Sequence, residues 1–374
     1  MSTTTRTGLL CWLLPWLLAG CQVDLPKPTD IQFDRPLGAK ASVVDPRANP
    51  GAPTRATPRP GESVRYEVAL AFDDPMGGDL DQLSSLFIVC TAPEQFTGIP
   101  ICLEFLEPGA GDDPALGGPP PDGVGGAPGG MPGGMPEELA CDGDLSLSVG
   151  PFFAACVSGR PAFEFPIPSD FEGKAKLVLG VICQGGQAYL DPDPDDQRLL
   201  RCRDNADDGE TMDVYGTVVV QQTPEDENLN PDLSQLQVTL ADGAWELPDA
   251  ELPGANCGEL DATLSLPHIE ADASAPHMIG LALDAAAITE QVESEREPLE
   301  IGAHATIEGL ERLFTLFQPD KPADAAGLLS AELEFEVDDE EELQEGGQLV
   351  RFFFTARDRR GGFDVTERVA CVTE

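Results

Sequence analysis

The sequence predicts an all-β protein with two antiparallel β-sandwich domains. Short apolar stretches recur along most of the 374 residues, and segments rich in Gly, Pro, Asn and Asp separate them. The clearest stretch alternates, because Val64, Tyr66 and Val68 fall on one face of a strand while charged residues lie between them. Many short strands at this spacing favour antiparallel sandwiches over a parallel α/β sheet.

The composition bounds the class of protein. Hydrophobic residues make up 41% of the chain, which is enough for packed cores. Acids outnumber bases by 67 to 22, giving a formal net charge of −45, and such a surface repels a phosphate backbone. Nucleic acid is therefore excluded as a partner. The chain contains only three histidines, which leaves little room for histidine-based catalysis.

The N-terminus has the pattern of an export signal. Residues 9–18 form an apolar run of ten, which is too short for a finished membrane span and is interrupted by Pro15. The sequence Leu-Ala-Gly-Cys ends at Cys21 and resembles the lipobox of bacterial lipoproteins. This resemblance implies a signal peptide over residues 1–20 and a mature chain held in a membrane by acylated Cys21. Gln22 follows the cysteine, which by the same resemblance favours the outer membrane, with the protein facing the periplasm or the surface.

Composition then divides the mature chain. Residues 21–60 are rich in proline and lack apolar periodicity, so they predict a disordered tether. The first sandwich is expected over 61–222, with a disordered Gly/Pro loop at 108–136. The polar, turn-forming residues 223–232 predict a linker, and the second sandwich is expected over 233–374.

Each apolar stretch predicts one strand. In the first domain the predicted strands are 64–72, 86–90, 101–106, 145–149, 162–167, 174–183 and 214–221. In the second they are 236–240, 260–266, 279–283, 299–307, 331–337, 349–357 and 363–371. Residues 285–292 have the composition of one short helix. The apolar residues of 310–317 fit helical spacing, and a strand over 313–317 fits the surrounding β pattern nearly as well, so both interpretations stay open.

Both predicted domains close with a strand, a turn and a returning strand. The tail at 350–372, with Arg357-Asp358 and Gly361-Gly362 in its turn, resembles the closing hairpin of bacterial immunoglobulin-like, PKD-like and cadherin-like repeats. The segment 228–238 resembles the start of such a repeat. The resemblance implies immunoglobulin-like sandwiches that act as extracellular spacers, adhesion modules or ligand-binding modules.

The cysteines agree with export. Eight remain after Cys11 leaves with the signal and Cys21 receives lipid, and an even number outside the cytoplasm predicts up to four disulfides. Cys257 and Cys371 are the only two in the predicted second domain at 233–374 and its preceding linker, so they are expected to pair. Cys183 and Cys202 flank a polar insertion, and a bond between them would staple its base. The remaining candidates are Cys90, Cys102, Cys141 and Cys156.

Calcium is the only cofactor that the sequence suggests. Asp191, Asp193 and Asp195 place carboxylates at alternate positions, as calcium loops do, although the later ligands of an EF-hand are missing. The linker residues Asp226, Asn228 and Asn230 partly resemble the calcium-binding linker between cadherin repeats. Solvated acidic loops are the alternative in both places.

No catalytic motif is present in the sequence. GxSxG, HExxH, a Walker-type phosphate loop and SxxK are all absent. The sequence therefore predicts a non-enzymatic envelope lipoprotein that acts as a structural, spacer or protein-binding module, with an envelope protein or a glycan as its partner. A calcium-dependent adhesion or carbohydrate-binding surface protein is the first alternative. An uncatalogued hydrolase is the second, and it needs a concave site with a carboxylate of raised pKa.

Overall fold

A computed structural model describes much of the chain between residues 29 and 373. The described residues are 29–31, 33–45, 54–73, 78–92, 139–141, 143–149, 152–191, 198–203, 211–241, 243–246, 257, 266–273, 275–285, 297–317, 323–324, 326–337 and 343–373. The signal peptide, Cys21 and the loop at 108–136 lie outside them. So do the strand predicted at 101–106, all of the strand at 260–266 except Leu266, and all of the helix at 285–292 except Ala285.

Twenty β-strands lie within the described residues, which confirms the all-β prediction. Their bounds are β1 (Arg35–Val43), β2 (Ser63–Ala71), β3 (Leu83–Thr91), β4 (Leu139–Ala140), β5 (Leu145–Val149), β6 (Phe152–Ser158), β7 (Ala162–Pro166), β8 (Ala175–Gln184), β9 (Gln187–Leu190), β10 (Leu200–Arg203), β11 (Thr211–Val219), β12 (Gln237–Leu240), β13 (Gly243–Ala244), β14 (His268–Glu270), β15 (His277–Asp284), β16 (Leu299–Ala305), β17 (Phe314–Phe317), β18 (Leu328–Phe335), β19 (Gln348–Arg357) and β20 (Phe363–Thr373). Three 3-10 turns accompany them at Leu80–Gln82, Pro224–Asp226 and Leu233–Gln235.

Strands β1–β11 form the N-terminal unit. The sheet β1-β2-β7 packs against the five-stranded sheet β11-β8-β3-β6-β5, and both are antiparallel. Aromatic rings fill the space between them, with Phe87 stacked on Phe163 at 4.7 Å between centroids. A Cβ atom at position 180 would lie 2.4 Å from the Phe87 ring, so Gly180 is what allows this ring to lie against β8.

A third layer covers the other face of the five-stranded sheet. Strands β10-β9-β4 form a small sheet whose Ala188, Leu190 and Leu200 belong to a second apolar cluster. Alternate residues of β3 therefore enter different cores, since Phe87 lies in the first cluster and Leu86 in the second. Burial on both faces explains why β3 and β8 are almost continuously apolar in sequence.

Strands β12–β20 form the C-terminal unit. The sheet β13-β12-β15-β18 faces the sheet β14-β20-β19-β16-β17, whose only parallel pair among the described strands is β14 with β20. Trp245 lies at the centre of the core, edge-on to Phe352 at 4.9 Å, and its Nε1 donates to the Val369 carbonyl at 2.8 Å. The strand interpretation of 310–317 is confirmed for its last residues, which form β17.

The structure differs from the predicted tether over residues 35–43, which form β1. This strand pairs with β2 along its whole length, from Arg35 opposite Ala71 to Val43 opposite Val64. Its alternation is weak, but Leu37 and Ala41 are buried because β2 and the C-terminal unit lie beside them. Just before it, Ile31 donates its N–H to the Ala305 carbonyl at 2.8 Å. The N-terminal segment therefore contacts both units.

The two units meet through the outer faces of two sheets. Leu37 and Ala71 of the N-terminal unit pack with Ile31 and with Phe353 of β19 in one buried cluster. Beside this apolar contact lies the linker, which the structure places against residues 54–58 through the bridge between Arg55 and Leu229. No helix of the described residues is long and apolar enough to cross a bilayer.

Candidate binding cleft between the two units

A cleft of about 540 Å³ opens where the two outer sheet faces diverge. Strand β2 and residues 160–161 form one wall, and β19 with the first half of β20 forms the other. Its apolar lining includes Phe72, Phe353 and Phe363, each of which is at least nine-tenths buried. This volume and lining are typical of ligand sites, so the cleft is the default site for a ligand.

The alternation of two strands places the polar side chains of the cleft. On β2 the core takes Val64, Tyr66 and Val68, so Glu67 faces outward. On β20 the core takes Ala370 and Val372, and the same alternation places Glu367 on the outer face. The cleft is therefore lined by side chains that each isolated sheet would give to solvent.

Three ion pairs occupy the walls of the cleft. Arg160 Nη2 lies 2.5 Å from Glu67 Oε1, Arg351 Nη1 lies 2.7 Å from Glu367 Oε1, and Lys40 Nζ lies 2.8 Å from Asp364 Oδ1. The pair between Lys40 and Asp364 joins the two units directly. These six residues are the ionisable ones among the described residues that line the cleft. The described lining is thus electrically neutral in a chain with a formal charge of −45.

The carboxyl group of Glu367 has an altered acidity. Burial raises the pKa of Glu367, and the hydrogen-bonded Arg351 guanidinium, which lowers it, compensates only in part. Desolvation penalises a charged carboxylate, so the side chain takes a proton more readily than an exposed glutamate does. The cleft therefore combines an apolar lining with one carboxyl group that is protonated at a higher pH than an exposed glutamate is.

The linker residues proposed for calcium are engaged in hydrogen bonds. Asp226 Oδ2 accepts from the Thr223 N–H at 2.8 Å, and this contact lowers the pKa of Asp226. Asn228 Nδ2 donates to Asp358 Oδ2 at 2.9 Å, and Asn228 Oδ1 accepts from Arg360 at 3.2 Å. The side-chain amides of Asn228 and Asn230 are both buried, and they connect the linker to the units on either side.

Asn230, two residues further along the linker, also connects the linker to both units. Its Nδ2 donates to the Ala41 carbonyl at 2.7 Å and to Thr54 Oγ1 at 3.0 Å, while its Oδ1 accepts from the Phe363 N–H at 3.1 Å. In the acidic loop, Asp191 Oδ2 lies 3.1 Å from Arg201 Nε, and Asp193 and Asp195 lie outside the described residues. The structure gathers no set of three or more acidic, histidine or cysteine side chains fit to hold a metal ion, within the part of the chain it describes.

Three disulfides lie within the described residues. Cys257 bonds to Cys371, which is the predicted pair, and Cys183 bonds to Cys202 at the base of the polar insertion, as suggested. The third bond joins Cys141 and Cys156. Their Cα separations of 5.3 to 5.6 Å are in the usual range for disulfides.

The remaining cysteines lie at the limit of the described residues. Cys90 is disulfide-bonded, and Cys102 lies outside the described residues. Cys90, Cys141, Cys156 and Cys183 all belong to the second apolar cluster, so the disulfides hold the third layer on the five-stranded sheet.

Comparison with known proteins gives little further information. No protein-family model and no curated protein matches the chain. One solved structure, red sea bream transglutaminase, is similar to it with 10% sequence identity and a TM-score of 0.21, over 90% of this chain and 31% of that one. The chain thus spans about a third of the length of that enzyme. A superposition this poor assigns neither a fold nor an activity to the protein.

The sequence did not identify the residues of the cleft. Lys40 fell in the predicted tether, and the outward faces of β2 and β20 read as ordinary solvent faces. Arg351 and Glu367 pair across a hairpin, but their distance in sequence from Glu67 hides the common site. The sequence shows the polar face of each alternating strand, but it gives no information on what packs opposite that face.

Proposed function

We propose that the protein is a non-catalytic lipoprotein of the cell envelope whose folded part binds another protein in the cleft between its two units. The lipobox ending at Cys21 supports the anchor, and the disulfides support an oxidising compartment. One observation carries the binding role. Every ionisable side chain in the described lining of the cleft already lies in an ion pair, around apolar side chains.

This arrangement suits recognition better than proton transfer or nucleophilic attack. Among the described residues that line the cleft there is no histidine, cysteine or serine, and its carboxylates and amine are held in ion pairs. An apolar lining with few polar groups around it is typical of binding sites. The cleft also depends on contact between the two units, so a ligand bound there would stabilise their arrangement.

The anchor is tested with two cysteine variants in the producing bacterium. We expect the wild-type protein and Cys11→Ala to incorporate a labelled fatty acid and to remain in the membrane fraction. Cys21→Ala should lose the label and leave that fraction. Cys11 is the matched control because it lies in the same N-terminal segment, ten residues before the lipobox cysteine. Membrane retention of Cys21→Ala would contradict the anchor.

Binding is tested by site-specific photo-crosslinking in intact cells. Leu80 lines the cleft and is 39% exposed, whereas Tyr215 lies outside it and is 61% exposed. A photoreactive amino acid at position 80 should give one defined protein adduct, and the same group at position 215 should not. Equal adducts at both positions, or none at position 80, would contradict the proposed binding role.

One observation favours the hydrolase alternative. The raised pKa of Glu367 is the property that acid catalysis requires of a carboxyl group in a concave site. However, the same carboxylate lies 2.7 Å from Arg351, which competes for the oxygen that would donate the proton. We expect no turnover of chromogenic esters or glycosides by the full chain. Turnover that Glu367→Gln abolishes would establish the alternative.

A further inference from the structure

The described part of the chain begins at Thr29, on the edge of the large sheet of the C-terminal unit. The Thr29 carbonyl accepts from the Ala305 N–H at 3.0 Å, and the Leu313 carbonyl accepts from the Ala303 N–H at 2.8 Å. Both carbonyls therefore bond to the same edge of β16, at positions two residues apart. Two residues of a strand span about 7 Å, so Thr29 lies directly beside the start of β17.

The position of Thr29 limits how far the folded part of the protein can lie from a lipid anchor. Thr29 follows Cys21 by only eight positions. Eight residues span no more than about 29 Å even when fully extended. Acyl chains on Cys21 would hold that residue at the membrane surface. The corner of the C-terminal unit formed by Thr29 and the start of β17 would then lie close to the bilayer.

Three large apolar side chains are exposed at this corner. Phe33 is 46% exposed, Phe314 is 47% exposed and Leu316 is 40% exposed. Phe33 and Phe314 are the only exposed phenylalanines among the residues that the structure describes. Single exposed apolar residues are normal on a protein surface, but a group of them marks an interaction site. These three residues are called the corner patch below.

The alternation of β17 explains why two members of the patch are exposed. Phe317 lies in the core, so Phe314 and Leu316 point to the outer face of the sheet. Strand β17 is also the edge strand of this sheet, with β16 as its only neighbour among the described strands. Glu300 lies opposite Leu316 on β16, and Glu311 with Arg312 precedes the strand.

Phe33 belongs to the same surface. It follows Ile31, whose N–H donates to the Ala305 carbonyl at 2.8 Å, so it lies just beyond the edge of β16. Arg35 and Pro36 line one small cavity together with Phe33 and a neighbouring cavity together with Phe314. The two phenylalanines therefore lie on either side of the same two residues.

We infer, on the basis of the proposed lipid anchor, that the corner patch docks on the phospholipid bilayer that holds Cys21. Its three apolar side chains enter the boundary between headgroups and acyl chains, where apolar side chains add affinity to a lipid anchor. The bilayer is the occupant because the chain before Thr29 is too short to hold this corner far from it. The charged side chains beside the patch then lie at the level of the headgroups.

Docking at this corner is compatible with the proposed binding cleft. The cleft lies over β19 and β20, whereas the patch lies on β17. Strand β17 is three strands away from β20 in the same sheet, which corresponds to about 14 Å. The cleft therefore remains available to a protein partner while the corner patch contacts lipid.

The test uses the full-length mature lipoprotein, reconstituted in phosphatidylcholine vesicles with or without brominated acyl chains, which quench nearby tryptophan. Trp245 is the only tryptophan after Cys21 and is buried in the core. Phe314→Trp adds a probe in the patch. Met278→Trp is the matched control, because Met278 is 39% exposed on the opposite sheet of the same unit. Brominated lipid should remove about half of the emission that Phe314→Trp adds, and less than about a tenth of that added by Met278→Trp.

A second pair of variants tests the apolar contacts themselves. Phe33→Ser/Leu316→Ser, combined with Phe314→Trp, should reduce the quenching at least twofold. Leu145→Ser/Met278→Ser in the same background removes two exposed apolar side chains outside the patch and should leave the quenching unchanged. Circular dichroism reports whether each variant is folded. If Phe314→Trp does not fold, Leu316→Trp places the probe on the same face of β17.

Flotation of the vesicles separates the two proposals, because it reports the anchor while quenching reports docking. Flotation with equal quenching from positions 314 and 278 would overturn docking and leave the anchor standing. A chain that does not float would overturn the anchor, and docking with it. Flotation without quenching at position 314, together with a dimer that Phe33→Ser/Leu316→Ser abolishes, would replace the bilayer by a second copy of the chain.

Discussion

The side-chain oxygen of Asn230 accepts a hydrogen bond from the backbone N–H of Phe363 at 3.1 Å. Asn230 belongs to the linker and Phe363 is the first residue of β20, while the amide nitrogen of the same side chain donates to the Ala41 carbonyl in β1. One buried amide therefore connects the linker with both units. The units are consequently joined by specific polar contacts in addition to the apolar cluster around Phe353.

Substitution Asn230→Ala should lower the free energy of unfolding by about 3 kcal/mol, because it leaves the Phe363 N–H and the Ala41 carbonyl unpaired in a buried place. Urea unfolding followed by circular dichroism measures the loss. Ser234→Ala is the control, since Ser234 is exposed in the 3-10 turn that follows the linker and its substitution should cost less than about 0.5 kcal/mol. Equal effects of the two substitutions would contradict the role of the amide.

Substitution Trp245→Phe should cost about 2 kcal/mol. It removes the hydrogen bond to the Val369 carbonyl and leaves a void beside Phe352 in the core. Thermal unfolding followed by circular dichroism measures the effect, since the variant loses its fluorescent probe. Tyr215→Phe, at an aromatic side chain that is 61% exposed, should change stability by less than about 0.5 kcal/mol. A neutral Trp245→Phe variant would argue against this packing.

The two predicted disulfides should contribute unequally. The Cys257–Cys371 bond spans 114 residues and the Cys183–Cys202 bond spans 19. Because each bond lowers the loop-closure entropy of the unfolded chain, the first should add about 5 kcal/mol to the free energy of unfolding and the second about 3 kcal/mol. Paired alanine variants compared by urea unfolding test the order. A larger loss from the shorter loop would show that native contacts, and not loop length, set the contribution of these bonds.

The raised pKa of Glu367 predicts a dependence of stability on pH. The folded state binds more protons at this site than the unfolded state does, between the ordinary pKa and the raised one. The contribution of Glu367 to stability therefore falls as the pH rises through that interval. The difference in stability between Glu367→Gln and the wild type should shift in favour of the variant from about pH 4 toward neutrality.

Unfolding at a series of pH values checks this expectation, and the variant minus the wild type isolates the single group. Glu164→Gln serves as the control, because Glu164 lies in β7 with its side chain 54% exposed. If the difference for Glu367→Gln changes no more with pH than that for Glu164→Gln, Arg351 fully compensates the burial of the Glu367 carboxylate.

Calcium should not act through the linker. The oxygens of Asn228 and Asn230 already accept hydrogen bonds, so a cation there would have to displace buried contacts. We expect calcium and magnesium at equal ionic strength to raise the melting temperature equally. A calcium-specific rise that is lost in Asp226→Asn would contradict this. A rise that is lost only in the double variant Asp193→Asn/Asp195→Asn would place a site in the acidic loop.

The local sequence pattern was sufficient to predict the strands that have one apolar and one polar face. Strand β2 and the hairpin β19–β20 follow the predicted positions closely because an apolar face and a turn fix both their type and their register. It was not sufficient for β1, whose Pro36 and Gly38 suggested a tether. That strand forms because the edge of β2 and the face of the C-terminal unit are available to it. Strand β1 is therefore stabilised by tertiary contacts and not by its local sequence.

The sequence by itself determined the all-β class and the pairing of Cys257 with Cys371, because periodicity and a count of cysteines are local or compositional properties. Only the tertiary structure decided the cleft. Glu67 and Glu367 are 300 positions apart, and no motif in the sequence connects them. Their common site exists because the outer faces of two sheets pack near Phe353 and then diverge, and no local pattern encodes what lies opposite a strand.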